Sequence, residues 1–572
     1  TTIDNMSFYE DASLVMIPSG YKSGKIYSQK PLSTDGQLTF TRASSATRVE
    51  SNGLIEKVRE NVVPNGLLFN GATGVLYTTI TSDTPISGVS STLITKNEAS
   101  GTLRYGNQNC SASVLTGSIS YTISRYFKYD GHNLTTSLEF NSGPHWGSTS
   151  WVQNIDIAST GVTLQAPSNC TSKISNVGNG WYRVEVTILT GASPTGSPVT
   201  YLLKVASTLS TGQGFLTAAP QLEISDFGAT DYIPTTTAAV SVGPVANIPR
   251  LDYYDSTCPK LLLEPQRTNL VLFSEQLNAA SWSASTTTVT ANAEISPDGY
   301  QNADVLAMSA SQSRVSQVLS LGAGTYSVSV YAKAISGSGT ARILVIIDGV
   351  STDFNFTPTT SWARYSFTFT AATSVTAVQM RAQTFIGNLS FWGCQLELGA
   401  CATSYIPTLA TSQTRVADAA LKTGITSLIG QTEGTLFVDA EVTNFAEAAQ
   451  SFITISDGTI TNRVELRKGS PNTIILEGSA ATGSFPNITL SSVAVGRYKI
   501  AVAYKTGSTA LFINGTQIGS TSANAFAFTS LTNVIIGANF SGSTRFLNDR
   551  ISQALVFKTR LTNDQLAELT SL

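Results

Sequence analysis

His145, Trp146 and Trp151 stand close together in the segment NSGPHWGSTSW, residues 141–151. Aromatic faces can stack on the apolar C–H patches of sugar rings, while nearby polar groups fix the hydroxyls. In a Gly- and Ser-rich stretch, these three residues are the candidate carbohydrate-binding set. The alternative for loop aromatics is packing against a neighbouring module or subunit. Other chemistry finds little support. The chain has two histidines, His132 and His145, and neither lies in a G-x-S-x-G context that would build a Ser-His-Asp triad. No H-E-x-x-H, paired CxxC or Walker loop occurs, so zinc and nucleotide chemistry fall away. Glycoside hydrolysis needs only two carboxylates facing each other across a cleft, and 37 acidic residues leave that geometry open.

The remaining tryptophans are explained by an internal repeat. Around Tyr121 the chain reads YTISRYFK and around Tyr326 YSVSVYAK, so Tyr-x-x-Ser-x-Tyr-x-Lys occurs twice. WYRVEVT from Trp181 answers to WARYSFT from Trp362. Gln-Leu-Glu recurs at Gln221 and Gln395, and each copy closes on ATDYIPT or ATSYIPT. Four blocks in one order mark a duplicated module. Trp181 and Trp362, at equivalent strand starts, are expected in the core, and Trp392 in LSFWGCQLE is expected to pack as well. Trp282 lies near the start of the second copy. The interval from Tyr121 to Trp181 is 60 residues and from Tyr326 to Trp362 is 36. The first copy thus carries an insertion, which includes the Trp146–Trp151 segment and is expected to expose it.

Segments such as TYSVSVYAKA, RYSFTFTA and WYRVEVTIL alternate polar and apolar residues with period two, and turn signals (SPDG, SGSGT, NVGNG) separate them. This is the rhythm of β-sandwiches. The expected order is a leader over 1–83 that anchors the protein, a first module over 84–240, a connector over 241–269, a second module over 270–412 and a third sandwich over 430–572. Glu56-x-x-Arg59-x-Asn61 matches Glu264-x-x-Arg267-x-Asn269. It reads as a connector strand feeding each module, with a Glu–Arg bridge inside the motif as a compatible alternative. In the third sandwich, AVAYKTGSTALFING is a hairpin with a Thr-Gly turn. Helix is expected only in LTNDQLAELTSL, with Thr562 as N-cap, Asp564 in the first turn, and Leu566 and Leu569 buried.

Composition agrees with an all-β reading. Hydrophobic residues make up 41%, enough for real cores, while charged residues are only 12% against about 25% in an average soluble protein. Net charge is −3 with no basic stripe, so no nucleic-acid partner is expected. No stretch approaches the ~20 apolar residues of a membrane span. The first residues, TTIDNMSFYEDASLVMIPSGYK, lack a signal-peptide pattern, and the expected location is the producing cell or a particle released by lysis. Five cysteines make no disulfide scaffold. Cys394 and Cys401 could bridge if the chain turned between them, but a reducing cytoplasm favours free thiols.

Two resemblances add to this. Glu433-Gly434-Thr435-Leu436-Phe437, RYKIAVAY from Arg497, LFINGTQIGS from Leu511 and VIIGAN from Val534 resemble the laminin-G-like, concanavalin A-like lectin superfamily. Some relatives bind sugars through loops and calcium, but no acidic cluster here has calcium-loop spacing, and neither a metal nor a cofactor is expected. The two repeats, through Gln-Leu-Glu followed by Ala-Thr-x-Tyr-Ile-Pro-Thr and through LLLEPQRTNL, resemble carbohydrate-binding-module-like jelly rolls in structural proteins of tailed bacteriophages. The opening segments DASLVMIPSGYKSGKIYS and FTRASSATRV are similar to the N-terminal part of phage virion proteins. The resemblance implies a fold of tandem β-sandwiches, two jelly-roll repeats plus a concanavalin A-like sandwich, in a virion fibre, spike or adhesin. Implied partners are other virion proteins through the leader, host cell-surface polysaccharide and further copies in a homo-trimer. The resemblance does not imply an enzyme, and no catalytic residue is assigned. Phage depolymerases generally need a long β-helix or a catalytic barrel, whereas nearly every segment here is claimed by a leader or a sandwich. The competing readings are a decoration protein of head or tail without glycan affinity, and a polysaccharide depolymerase.

Overall fold

The computed structural model describes the chain apart from residues 1–4, 65–68, 71–73, 98–103, 111–114, 141–145, 147–149, 196–199 and 206–208. The architecture is all-β with several sandwiches, and the chain divides into two compact units. One comprises Thr1–Lys57, Pro244–Gly299 and Ala303–Leu572; the other comprises Val58–Gly243 with Tyr300–Asn302.

The first unit holds two sandwiches. The larger is built from chain segments far apart in sequence. One sheet runs Arg250–Asp252, Lys260–Leu263, Asp549–Phe557, Glu433–Val442, Gly496–Lys505, Thr509–Ile513, Thr516–Ser522, and Leu14–Met16 also pairs with Asp549–Phe557. The facing sheet starts Tyr21–Lys22, Lys25–Tyr27, Gln37–Thr41, Ala419–Lys422, Asn533–Ile536, Gln450–Ser456 and continues through Arg463–Gly469, Thr473–Ser479 and Ile488–Leu490. Between them lies one core in which Leu14, Met16, Ile26, Leu38 and Phe40 meet Leu436, Ile453, Val502, Val534 and Val556. Alternation sets this up: Gln37–Thr41 buries Leu38 and Phe40 and turns Thr39 and Thr41 outward.

Two expected boundaries are therefore corrected. The leader is not a separate domain, because its strands between Leu14 and Thr41 fill edge and interior positions of the C-terminal sandwich, while Val75–Ile80 belongs to the first module. The connector is not a plain linker, because Arg250–Asp252 and Lys260–Leu263 form a hairpin at the edge of the same sheet.

The second module is a sandwich of two five-stranded sheets, one ordered Ser283–Ser285, Arg314–Leu321, Val375–Ala382, Ala341–Ile347, Val350–Phe356. The other is ordered Val289–Glu294, Ala303–Met308, Ile386–Leu398, Gly324–Ser338, Ala363–Ala371. In the other unit, the first module repeats the plan with six strands per sheet. Its central pair, Ser120–Tyr129 and Gly214–Ile224, corresponds to Gly324–Ser338 and Ile386–Leu398. Val75–Ile80 pairs with Ser91–Lys96, and Phe69–Asn70 with Arg104–Asn109, so this module starts well before residue 84. The insertion adds two strands: Gly161–Leu164 lengthens one sheet beside Trp151–Ala158, and Thr171–Gly178 lengthens the other beside Trp181–Leu189.

Local expectations at the C-terminus hold. Gly507 adopts φ +72 in the turn between Gly496–Lys505 and Thr509–Ile513, a conformation that suits glycine. Asn563–Leu569 is helical, and Thr562 caps it in a reciprocal box with Gln565 while Leu566 and Leu569 are buried. A second short helix covers Asn5–Asp11. All five cysteines are free thiols, so Cys394 and Cys401 form no bridge. Burial pushes the Cys394 thiol up to about 12, and its sulfur rests 3.8 Å from Met380 Sδ.

Candidate functional site

Trp146 and Trp151 are both interior, at 2% and 0% exposure, and meet edge to face with ring centroids 5.7 Å apart. Trp151 opens the strand Trp151–Ala158, whose alternation turns Trp151, Gln153, Ile155 and Ile157 inward. The expectation of an exposed aromatic loop is corrected here, since neither indole has a free face for a sugar ring. His145 lies outside the described residues. Of the other tryptophans, Trp181, Trp392 and Trp282 are buried, whereas Trp362, expected in the core, is only partly buried beside the Trp392 cluster and donates to the Ile295 carbonyl at 2.8 Å.

The repeated motifs resolve into a clasp that occurs twice. In the second module, Asn269 Nδ2 donates to the carbonyls of Cys394 and Ile406 at 3.1 and 2.9 Å. Its Oδ1 accepts from the backbone N–H groups of Leu396 and Val271. Glu397 accepts from Thr403 through backbone and hydroxyl, and Gln395 accepts from Ile406 N. In the first module, Asn61, Gln221, Glu223 and Thr230 repeat this set, with Asn61 donating to Pro220 and Ile233. The buried carbonyls of Cys394 and Ile406 and the buried N–H groups of Leu396 and Val271 thus find partners in one side chain, as burial requires. A second repeated device lies beside it: Arg183 donates to Ser124 and covers Tyr126, and Arg364 donates to Ser329 and covers Tyr331. In the second copy of the connector motif Glu264 and Arg267 do not bridge each other, and Arg267 pairs with Glu447 at 2.6 Å. Glu56 pairs with Arg48, and Glu264 with Arg250 and Arg415.

That last pairing belongs to a buried charge knot. Arg42 pairs with Asp418 at 3.1 Å; Arg250 bridges Asp418 and Glu264; Arg415 meets Glu264 at 3.0 Å and Ser404 Oγ at 2.9 Å. All five charged side chains are essentially inaccessible. Burial alone would raise the Glu264 carboxyl, yet the charges of Arg415 and Arg250 hold it well below the usual carboxylate range. Burial lowers the Arg42 guanidinium to about 10 despite Asp418. The knot ties the leader, the connector hairpin, the end of the second module and the first strand of the C-terminal sandwich into one piece.

The outer face of the nine-stranded sheet carries a more open cluster. Glu465 and Glu477 sit directly opposite each other on paired strands. Arg463 and Arg545 each contact both carboxylates, and Arg467 meets Glu477 at 2.6 Å. Ser451 donates to Glu465, and Arg463 lies 5.6 Å from the Phe540 ring centroid. Partial burial pushes Glu477 up, but hydrogen bonds from Arg467 and Arg463 outweigh it and bring the carboxyl down to about 2. Glu477 is therefore ionised at neutral pH, and the arginines hold both side chains in place. The cluster can offer fixed hydrogen-bond donors and acceptors, with Glu477 as an ionised acceptor. No sequence motif marks it, because its members come from three strands and a loop. Among the described residues, no group of three or more His, Cys, Asp or Glu side chains is arranged to hold a metal ion.

Residues 412–567 match the family model described as the concanavalin A-like lectin/glucanases superfamily. The C-terminal sandwich is thus a lectin-type domain, completed by strands from the leader and the connector. No curated protein matches the chain. Among solved structures, the chain is similar to the CBM40 of Ruminococcus gnavus IT-sialidase bound to α2,3-sialyllactose, with 20% identity and TM-score 0.23 over 26% of this chain and 91% of that one. It is also similar to the CBM22-1–CBM22-2 tandem of Paenibacillus barcinonensis Xyn10C (12% identity, TM-score 0.21, 59% of this chain and 99% of that one). A third is domains LG4-5 of mouse laminin α1 chain (9% identity, TM-score 0.17, 42% of this chain and 84% of that one).

Proposed function

We propose that this protein is a surface fibre or adhesin of a tailed-bacteriophage virion, and that it attaches to host cell-surface polysaccharide. The observation that carries the binding part is the lectin-type sandwich over 412–567, set beside two further β-sandwich modules. The virion setting rests on the resemblance of the repeats and of the opening segments to phage structural proteins. Its partners would be other virion proteins, the host glycan and two further copies in a homo-trimer, so that weak single sites add through avidity. Since the leader supplies core strands, docking on the particle would use its free edge at Tyr21–Lys22.

Attachment without cleavage is favoured by the arginines that engage the facing carboxylates of this domain. A glycosidase needs one acid kept protonated opposite one kept ionised. The facing pair Glu465 and Glu477 is neutralised by three arginines instead. The test is to incubate the intact protein with polysaccharide extracted from candidate hosts, and to measure retention on the immobilised polymer and release of new reducing ends. Retention without release is expected. New reducing ends would make the protein a depolymerase, and no retention would make it a decoration protein.

A further inference from the structure

Among the described side chains, Tyr254 is the one aromatic ring left largely in solvent, at 49% exposure. It stands in the turn between Arg250–Asp252 and Lys260–Leu263, at the edge of the lectin-type sandwich. An exposed ring is ordinarily free to rotate, and single exposed apolar residues need no explanation. This one is held. The Arg550 guanidinium lies over the ring, 4.7 Å from its centroid. Arg550 is itself fixed, because its Nε donates to Asp252 Oδ1 at 2.8 Å. Asp252 is 1% exposed; it also accepts from Tyr254 N at 3.1 Å and, through Oδ2, from Val49 N at 3.0 Å. The carboxylate thus positions both the turn that carries the ring and the cation that backs it.

The cations around the ring are each paired with a carboxylate. Glu441 lies opposite Arg550 in register and pairs with Lys260 at 2.7 Å. Arg550 and Lys260 are matched by Asp252 and Glu441, and the exposed Asp255 follows the ring in the turn, so the surface has no net positive charge and sets hydrogen-bonding groups beside an apolar face.

We propose that Tyr254 is a sugar-stacking platform that takes an uncharged pyranose residue of a polysaccharide on the ring face opposite Arg550. Hydroxyls of that residue, or of its neighbour, meet the Arg550–Asp252 and Lys260–Glu441 pairs. A pre-fixed aromatic loses little conformational freedom on binding, which is where such sites gain affinity. A surface without net positive charge does not attract an acidic sugar, suits an uncharged one and gives little dependence on salt. The assignment rests on the glycan-binding reading above and locates it.

The test uses the full chain on an array of neutral and uronic-acid-bearing polysaccharides, at low and high salt, with Tyr254→Ala and Tyr254→Phe variants. Thermal unfolding serves as the check that each variant is folded. The expected result is binding to neutral polymers that persists at high salt, falls about tenfold in Tyr254→Ala and is retained in Tyr254→Phe. Wild-type binding that Tyr254→Ala leaves intact overturns this site while the glycan-binding reading stands. Binding restricted to acidic polymers and abolished by salt overturns the ligand class. No binding to any polymer overturns the site and the broader reading together.

Discussion

Asn269 donates through Nδ2 to the Ile406 carbonyl at 2.9 Å, across 137 residues of chain. This bond and its companions explain why Asn, Gln-Leu-Glu and Ala-Thr-x-Tyr-Ile-Pro-Thr recur together. The asparagine of the connector needs two carbonyls and two N–H groups, and the closing phrase of each module supplies its share of them. Replacing Asn269 with Ala leaves buried donors and acceptors unmet. The expected cost is about 3 kcal/mol, read as a lower denaturation midpoint; an unchanged midpoint would show that water replaces the amide without loss.

The knot at Asp418 gives a larger effect. Asp418→Ala removes the partner shared by Arg42 and Arg250 in a site without solvent. Losing one member of a buried pair costs about 3–5 kcal/mol, because the charge left behind is uncompensated. Chemical denaturation of the variant checks this, and a change within the error of wild type would contradict it.

Acid sensitivity follows from Glu477. Its folded value of about 2 lies below its ordinary 4.5, so the ionised form stabilises the fold above the ordinary value. That contribution is lost as pH falls from 4.5 towards about 2. Glu477→Gln should therefore flatten the stability profile across this window, as followed by thermal unfolding at stepped pH. An identical slope in both proteins would remove Glu477 from the account.

Deleting residues 1–57 removes Leu14, Met16, Ile26, Leu38 and Phe40 from the core of the lectin-type sandwich. Hydrogen exchange across Glu433–Val442 and Asp549–Phe557 should rise sharply in the deleted protein. Native protection there would mean that the leader is an accessory after all.

Trp151→Ala should act on stability rather than on binding alone. A fully buried indole that also packs against Trp146 is worth about 3–5 kcal/mol on truncation. Loss of glycan retention in a variant with unchanged thermal stability would contradict this placement.

Local signals in the sequence were legible. Period-two alternation found the strands, the four repeated blocks found the duplication, and Thr562 with its following leucines found the helix. What was not legible depends on distance and phase. Nothing near Leu14 points to Val556, its strand partner 542 residues on, and LVM reads as a strand in any sheet. Trp146 and Trp151 sit among glycines and serines, which suggests a loop, yet the inward phase of Trp151–Ala158 decides their burial. Tyr254 lies in a segment rich in linker residues, and its exposure follows from a hairpin whose other contacts are remote. The carboxylates Glu465 and Glu477 read as two ordinary strand acids until the pairing of their strands places them together.

The central claim is attachment through a surface glycan. The direct measurement is retention of fluorescently labelled protein on candidate host cells, with and without enzymatic removal of their surface polysaccharide. The account predicts retention on intact cells that is lost from stripped ones. Equal retention on both, or none on any plausible host, would contradict it.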